Sequence, residues 1–348
     1  MSDSPIISIN IAVLNGRRYI RHCLDSILAQ TYDHGRISVR ILDNGSTDDT
    51  QEEIAAYLAK MDDFHGVHFT QSTRNYGMWG GQEELMKQGA EPFLIFLSAD
   101  VVMEERFVEQ ALATLEKDEC IGALQAKVYQ AKIENDQWIK LEKIDTCGFQ
   151  IFRSRKILNI GHGQPETEQL QNPVEVFGVE GAVPVFRRDA LESIRVLGEI
   201  ADQDLFWYGE DLDVAWRLRL AGWKEIYEQS VMAWHERGTS KSHGRGHWWN
   251  HLSRVKERQL IPIRRRRLEW RNTRLTRVKN DYTINVLKDL PLIVWRELEV
   301  LIYTLLFEPA VLAEVPTFFR LLPKMLRKRK AIIKSAKVSP AEIRKFFN

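Results

Sequence analysis

Cysteine is scarce in this chain. Cys23, Cys120 and Cys147 are scattered over 348 residues with no CxxC pair, which excludes a disulfide scaffold or zinc finger and predicts a reducing compartment, the cytoplasm. The opening stretch, MSDSPIISINIAVLNG, lacks a positively charged leader and a small-residue cleavage site, and its apolar run has the length and β-branching of a strand. Neither an internal repeat nor a low-complexity tract is present. The turn after the first predicted strand, AVLNGRRYI, has no glycine-rich dinucleotide fingerprint, which argues against an oxidoreductase. It also lacks the glycine- and arginine-rich opening loop that a sugar nucleotidyltransferase needs.

With 44% hydrophobic and 28% charged residues, the chain has room for a large α/β domain with an appendage, or for two modest domains. The net charge of +1 hides an asymmetry: residues 251–348 carry 23 Lys+Arg against 9 Asp+Glu, leaving 26 against 39 for residues 1–250. So basic a C-terminal region suits nucleic acid, an anionic membrane surface or the acidic body of its own chain.

Strand and helix patterns alternate from ISINIAVL through RRYIRHCLDSILAQ, ISVRIL, QEEIAAYLAKM, VHFT and RNYGMWGGQEELMKQG to FLIFLSAD. Such alternation predicts a mostly parallel sheet with helices on both faces and ligands beyond the carboxyl ends of its strands. From about residue 126 to 205 the pattern loosens into short amphipathic pieces, with HGQPETEQLQNP reading as a loop. Ser46 and Asp49 are spaced as a capping box for the second helix.

Carboxylates close two of these strands. Asp43, followed by Asn44, Gly45 and Ser46, sits where a ligand can reach it and where it can accept from a pyrimidine imide N–H, although a polar turn with a helix cap accounts for the same residues. Asp100 follows five apolar residues and emerges with little freedom, as a metal ligand for a diphosphate requires; a helix cap near Glu104 is the simpler alternative. In WYGEDLDVAWRLRLAGW a helix starts near Glu210. Asp211 then shares the inward side with Ala215, Leu218 and Gly222, and an inward carboxylate beside Trp207 and Tyr208 needs a cavity, partner or substrate. Asp213 is one turn before Arg217, the spacing of a surface ion pair, and Glu210 suits the helix dipole.

The order AVLNGRRYI, ILDNGSTDDT, RNYGMWGGQ, LSAD, VEGAVPVFRRDAL, YGEDLDVAWRLRLAGW and WHERGTS resembles the family-2 glycosyltransferases, in particular their rhamnosyltransferase-like branch, over about residues 5 to 240. The resemblance implies a GT-A fold in residues 1–250, with a nucleotide-sugar half (1–125) and an acceptor half (126–250). It also implies a dTDP- or UDP-sugar donor, Mg2+ or Mn2+ on the diphosphate, and inversion by direct displacement. Carried over residue by residue, it puts Ala12, Leu14 and Asn15 beside base and ribose, Asp43 on the pyrimidine, Asn75 and Gly77 in a turn beside the nucleotide, and Gly81 and Ser98 along the donor. Asp100 and His235 would hold the metal. Glu180, Gly181, Trp207 and Glu210 would line the acceptor side, with Asp211 as catalytic base. One departure is Ser98-Ala99-Asp100, where the family often has a second carboxylate or amide two residues before the aspartate.

The basic region, RVKERQLIPIRRRRLEWRNTRLTRVKN and beyond, mixes arginine with apolar residues, so nucleic-acid binding is the competing function. LKDLPLIVWRELEVLIYTLLF then sets Val294, Leu298, Leu301, Ile302 and Leu305 on one stripe. Interrupted by charge, it is a poor membrane span but suits an interfacial helix flanked by the arginine cluster and KMLRKRK; packing on protein, including a second copy, is the alternative. The expected setting is the inner face of the cell membrane, with a glycan or lipid-linked acceptor of surface polysaccharide assembly.

Overall fold

A computed structural model describes residues 6–237, 255 and 258–348 of the chain. The last part of the WHERGTS motif (238–240) and parts of the arginine-rich stretch (254, 256 and 257) lie outside the described residues.

The first half builds the predicted parallel sheet. Strands β1 (Ile7–Val13), β2 (Ile37–Asp43), β3 (Gly66–Gln71) and β4 (Phe93–Phe96) pair in parallel in the order β4-β1-β2-β3. β1, β2 and β4 are almost wholly buried because each is covered on both faces; β4 is a continuous apolar run, whereas β1 and β2 alternate, their buried polar side chains partnered internally, Ser8 with Asn10 at 2.6 Å and Arg40 with Glu91 at 2.7 Å. On one face Ile7, Ile9, Ile11 and Ile95 pack with Ile20, Leu24 and Ile27 of helix α1 (Arg17–Leu28). On the other, Leu94 and Phe96 meet Trp79 of α3 (Gly77–Met86).

Helix α2 (Thr50–Leu58) begins at Asp49 without any side-chain cap. The expected capping box does not form, because the Ser46 hydroxyl is taken by Asp43 and by the amide of Asn15. β5 (Val101–Met103) intervenes after Asp100, so the next helix, α4, starts at Phe107 (Phe107–Leu115) and Asp100 is not its cap.

Beyond residue 120 the chain is more regular than its sequence suggests. β6 (Ile121–Glu134) and β7 (Gln137–Thr146) form a long antiparallel hairpin that was expected to be short amphipathic pieces. Its two-residue turn, Asn135-Asp136, has both residues at positive φ (51° and 60°), the geometry that matches strand twist. A short hairpin, β8 (Phe149–Ile151) with β9 (Ile157–Asn159), and the edge strand β10 (Val174–Glu175) follow. β11 (Val185–Arg187) pairs antiparallel with β4 and β6 and leads into α5 (Arg188–Ser193). After α6 (Glu210–Leu220), β12 (Lys224–His235) runs parallel to β6 and completes a mixed ten-stranded sheet in which β5, β7, β10 and β11 pair antiparallel.

Residues 258–348 are helical: α7 (Ile263–Asn280), α8 (Thr283–Lys288), α9 (Leu290–Phe307), α10 (Val315–Ser335) and α11 (Pro340–Arg344). Part of their charge is met by the chain itself. Lys279 pairs with Asp202 (2.6 Å) and Asp213 (2.7 Å), Lys328 with Asp202 (2.6 Å) and Glu199 (2.9 Å), and Lys324 with Asp204 (2.7 Å). Within the region, Arg274 and Arg277 share Glu297, Arg271 meets Glu314 and Arg258 meets Glu308. The end of the chain docks too: Phe347 packs in a cluster with Trp216 and Phe177, and the Asn348 amide donates to the Ile151 carbonyl at 3.0 Å.

Asp213 corrects an expectation. It is fully buried, as is nearly all of Arg217, and their 2.7 Å pair is sealed by Lys279 and by Asn280, whose amide donates at 2.7 Å. It is a core ion cluster instead of a surface pair, since α7 covers the face that the isolated helix would show to water.

Candidate active site

The carboxyl ends of β2, β1 and β4 form one rim. At the β2 end, Asp43 is fully buried. Both its oxygens lie within reach of the Ser46 amide (3.2 and 3.1 Å), the Ser46 hydroxyl bonds to it, and Gln51 Nε2 of α2 donates at 2.6 Å. This corrects the expectation of an open carboxylate: the turn folds Ser46 over it and α2 adds Gln51. Next to it, the Asn15 amide donates to Ser46 Oγ and Asn15 Oδ1 accepts from the Thr47 amide, each at 2.8 Å, which ties the loop after β1 to the loop after β2. Asn15 adopts φ 51°, and Leu14 stands 43% exposed beside it.

Asn44, which sequence reading passed over, braces the third member of the rim. Its Oδ1 accepts from the Tyr76 amide and its Nδ2 donates to the Gly77 carbonyl, both at 3.2 Å. Asn75 is exposed, and its side chain accepts from the Gly77 amide at 2.7 Å. Gly77 has φ +75°, and a Cβ there would lie 3.0 Å from the Phe206 carbonyl, so glycine is needed for this turn. Gly81 is a packing glycine: a Cβ would meet the Ala12 Cβ at 2.7 Å, so it brings α3 down on β1.

After β4, Ser98 is held by its amide on the Ala182 carbonyl (3.0 Å), and Asp100 follows with its side chain 33% exposed. From Asp100 a string of polar side chains crosses the sheet. Asp100 Oδ2 is 3.3 Å from His235 Nε2, His235 Nδ1 is 2.9 Å from Asp145 Oδ2, Arg237 Nε donates to the same Asp145 oxygen at 2.9 Å, and Arg237 Nη2 pairs with Glu180. Burial works against a charged His235, but Asp100 and Asp145 outweigh it and push the imidazole up to about 10. Burial likewise opposes ionisation of Asp145, and Arg237, His162 and His235 overcome it, holding that carboxyl well below the usual range. Asp145 and Arg237 were not anticipated; their signal is the polar IDT ending a strand and a charge two residues past His235, both weak in isolation.

The string ends at the first turn of α6. Asp211 Oδ1 accepts from the Leu212 amide at 2.9 Å, and a Cβ on Gly181 would lie 3.5 Å from Asp211 Oδ2 and 3.0 Å from Met78 Cε. Burial, then the neighbouring Glu180, push the Asp211 carboxyl up to about 6. Glu210 is 5% exposed, and burial followed by Asp211 pushes it up to about 8, a buried acid instead of the solvated dipole partner expected. Trp207 is 42% exposed at the mouth and lies against Tyr208, ring centroids 4.5 Å apart. Asp100, His235, Glu180, Gly181 and Asp211 are thus joined through direct neighbours, whereas Asp43 occupies its own enclosed position two strands away.

Asp100 and His235 are suited to a cation. An exposed carboxylate faces an imidazole nitrogen whose partner nitrogen is fixed by a buried carboxylate, the usual support for a metal-bound histidine. A single carboxylate oxygen and a ring nitrogen leave most positions for diphosphate and water, and the nitrogen favours Mn2+ over Mg2+. Among the described residues no group of three His, Cys, Asp or Glu is arranged to hold a metal alone. A cavity of about 580 Å3 opens elsewhere, at the β1 end between Asn15, Arg17, Arg18 and Asp48, and a small one of about 40 Å3 lies at Asp145, His235 and Arg237.

Solved structures share this fold. GalNAc-T7, solved with UDP, GalNAc and Mn2+, matches with TM-score 0.56 and 14% identity over 78% of this chain and 48% of its own. The mannosyltransferase PcManGT from Pyrobaculum calidifontis, solved with GDP-Man and Mn2+, matches with TM-score 0.52 and 15% identity over 97% and 87%. The curled mixed sheet flanked by helices is accordingly a GT-A-like α/β fold. Among curated proteins, the putative glycosyltransferase EpsH of Bacillus subtilis (strain 168) is 33% identical over 113 residues, 32% of this chain and 31% of its own length. The poly-beta-1,6-N-acetyl-D-glucosamine synthase of Staphylococcus epidermidis is 24% identical over 228 residues, 66% of this chain and 49% of its own. The matches therefore span between a third and a half of these relatives. The model of the family described as "Glycosyl transferase family 2" matches residues 8–195, more than half of the chain, and the protein belongs to that family.

Proposed function

We propose that this protein is an inverting glycosyltransferase that moves a sugar from a nucleoside-diphosphate donor to a glycan or lipid-linked acceptor. The observation that carries the reading is Asp211: a carboxyl pushed up to about 6, set against the Gly181 backbone and connected through Glu180 and Arg237 to the Asp100–His235 pair. Asp211 accepts the proton of the acceptor hydroxyl while that oxygen bonds to the anomeric carbon and the diphosphate departs with the electron pair of the breaking C–O bond. Asp100 and His235 would hold a divalent cation, which would supply charge stabilisation to that diphosphate. Asn15, Leu14 and the Ser46 turn border base and ribose. A pyrimidine reaches Asp43 only where Gln51 swings aside.

The donor we propose is a dTDP- or UDP-deoxyhexose such as rhamnose, consistent with the motif order over residues 5 to 240, and the setting is surface polysaccharide assembly on the inner membrane face. No helix among the described residues is long and apolar enough to cross a membrane. Helix α9 instead exposes Trp295 (67%), Leu298 (48%), Ile302 (56%) and Leu306 (67%), a face suited to lying in a bilayer interface or to meeting a second copy. Nucleic-acid binding draws no support from α7, whose Arg271, Arg274 and Arg277 are engaged by Glu314 and Glu297.

A thermal-shift panel of UDP-, GDP- and dTDP-sugars with and without Mn2+ tests the reading. A Mn2+-dependent shift with one pyrimidine nucleotide-sugar is expected; no response to any donor would remove the proposal.

A further inference from the structure

Asp145 stands at the end of β7, outside every motif that identified the site, and its side chain is fully buried. Its Oδ2 is 2.9 Å from both His235 Nδ1 and Arg237 Nε, its Oδ1 is 3.5 Å from His162 Nδ1, and its backbone carbonyl is 2.7 Å from the same His162 nitrogen. Two histidines and an arginine from two separate segments thus converge on one carboxylate.

We propose that Asp145 is the positioning residue of the cation site: by accepting the Nδ1–H of His235, it dictates which ring nitrogen is left to face Asp100. This rests on the reading of Asp100 and His235 as cation ligands.

A neutral imidazole carries one hydrogen and one lone pair, and which nitrogen holds which follows from its partners. His235 lies between two carboxylates, Asp100 on Nε2 at 3.3 Å and Asp145 on Nδ1 at 2.9 Å, and both are acceptors. If Asp100 captured the single N–H, Nε2 would point a hydrogen at the cation position and could not ligate. Asp145 is built to win that competition: it is the closer and fully buried partner, it is anchored by Arg237, and it sits on a paired strand, whereas Asp100 is a third exposed on a turn. Between the two carboxylates the cation-free imidazole is held protonated; once a cation displaces the Nε2 proton, the hydrogen that remains is the one Asp145 holds at Nδ1, and the Nε2 lone pair is free to ligate. Arg237 extends the same device to the other wall of the site, since its guanidinium also pairs with Glu180, next to Gly181 and Asp211. The long β6–β7 hairpin is what delivers Asp145 to this position.

Asp145→Asn tests the proposal, because an amide presents either an oxygen or an NH2 group to Nδ1 and no longer dictates the hydrogen's position. Mn2+ binding is measured by electron paramagnetic resonance, with and without UDP, on the full chain, on Asp145→Asn and on His235→Gln. Long-range 1H–15N correlation in the presence of UDP and diamagnetic Mg2+ reads the tautomer of cation-bound His235, assigned by its loss in His235→Gln. We expect an Nδ1–H imidazole in the unsubstituted protein, a mixed tautomer in Asp145→Asn, and Mn2+ affinity lowered about 10- to 100-fold, the range seen for such supporting partners. Affinity for UDP without metal is expected to stay unchanged. If His235→Gln loses Mn2+ while Asp145→Asn keeps it within threefold with an unaltered tautomer, the role of Asp145 is overturned and the cation site stands. If His235→Gln binds Mn2+ as well as the unsubstituted chain, the cation reading itself fails and the proposal fails with it. Thermal unfolding checks that the variant is folded; should Asp145→Asn unfold, Asp145→Glu, which displaces the carboxylate by one methylene, is judged by the same two outcomes.

Discussion

At neutral pH the adjacent carboxyls of Glu210 and Asp211 carry different charges, the first pushed up to about 8 and the second to about 6. Environments that drive neighbouring acids apart are how one site keeps a base ionised beside an acid that stays neutral. Asp211 must lose its proton to act as base, so activity should rise with pH through about 6, and this limb should vanish in Asp211→Asn. That variant should keep donor affinity within twofold and lose at least about tenfold in turnover, the low end for a positioned base; unchanged turnover removes Asp211 from the role. Glu210 gives a stability prediction of defined sign. Its folded-state carboxyl holds a proton that the unfolded chain releases near 4.5, so stability falls as pH rises from about 4.5 to 8. Glu210→Gln keeps the neutral form throughout. Its melting temperature should match the parent's at pH 4 and exceed it progressively up to pH 8; a pH-independent difference would show that the burial argument is wrong.

The element that presents this pair is strained on purpose. Phe206, Tyr208 and Gly209 all have positive φ (60°, 64° and 101°), unusual for two aromatic residues and tolerable only where surrounding contacts over-determine the chain. α7 supplies those contacts. The Asn272 carboxamide on that helix donates to the carbonyls of Leu205 and Trp207 at 2.9 Å and Tyr208 at 2.6 Å, and a Cβ on Gly209 would come within 3.2 Å of the Asn272 Cβ. Asn272→Ala strands these acceptors, so unfolding free energy should drop by about 1–3 kcal/mol, the cost of unsatisfied buried groups. Hydrogen exchange over residues 205–211 should quicken at the same time, and exchange at the parental rate would mean that the loop holds its own shape. None of this was legible in WYGED alone, because the partner lies more than sixty residues away and an asparagine inside a helix carries no signal of what it touches.

For the molecule as a whole, the charge asymmetry resolves into an internal seam. Of the three partners that suited the basic region, the acidic body of the same chain takes part of it, with Lys279, Lys324 and Lys328 closing on Glu199, Asp202, Asp204 and Asp213. The region also carries an unmatched apolar face: α9 meets the rest through Thr304 and the Glu297 pairs and leaves its leucines exposed. Truncation before α9 would also remove Lys328, Ile332 and Phe347 from the catalytic body, so it cannot isolate the membrane question. The double substitution Leu298→Glu and Ile302→Glu leaves those contacts in place and should reduce binding to anionic lipid vesicles at least about tenfold, given burial of about 0.8 kcal/mol per CH2. Retained binding excludes α9 as the contact, and a monomer–dimer shift in sedimentation without any vesicle effect assigns the face to a second copy.

Sequence alone determined the parallel half of the sheet, because β1, β2 and β4 are short, β-branched or aromatic-rich stretches ended by polar turns and separated by helical patterns. It also determined Asp100, Asp211 and His235 as candidates, since a carboxylate or imidazole that ends or interrupts an apolar stretch has few places to go. Only the tertiary structure decided which polar groups share a cavity. Asp43 is enclosed by Ser46 and Gln51, Asp213 is sealed by Lys279, and Asp145 and Asn272 reach the site from distant segments. The physical reason is range: periodicity and capping act within a few residues, whereas burial and pairing of charge depend on whatever the rest of the chain brings alongside.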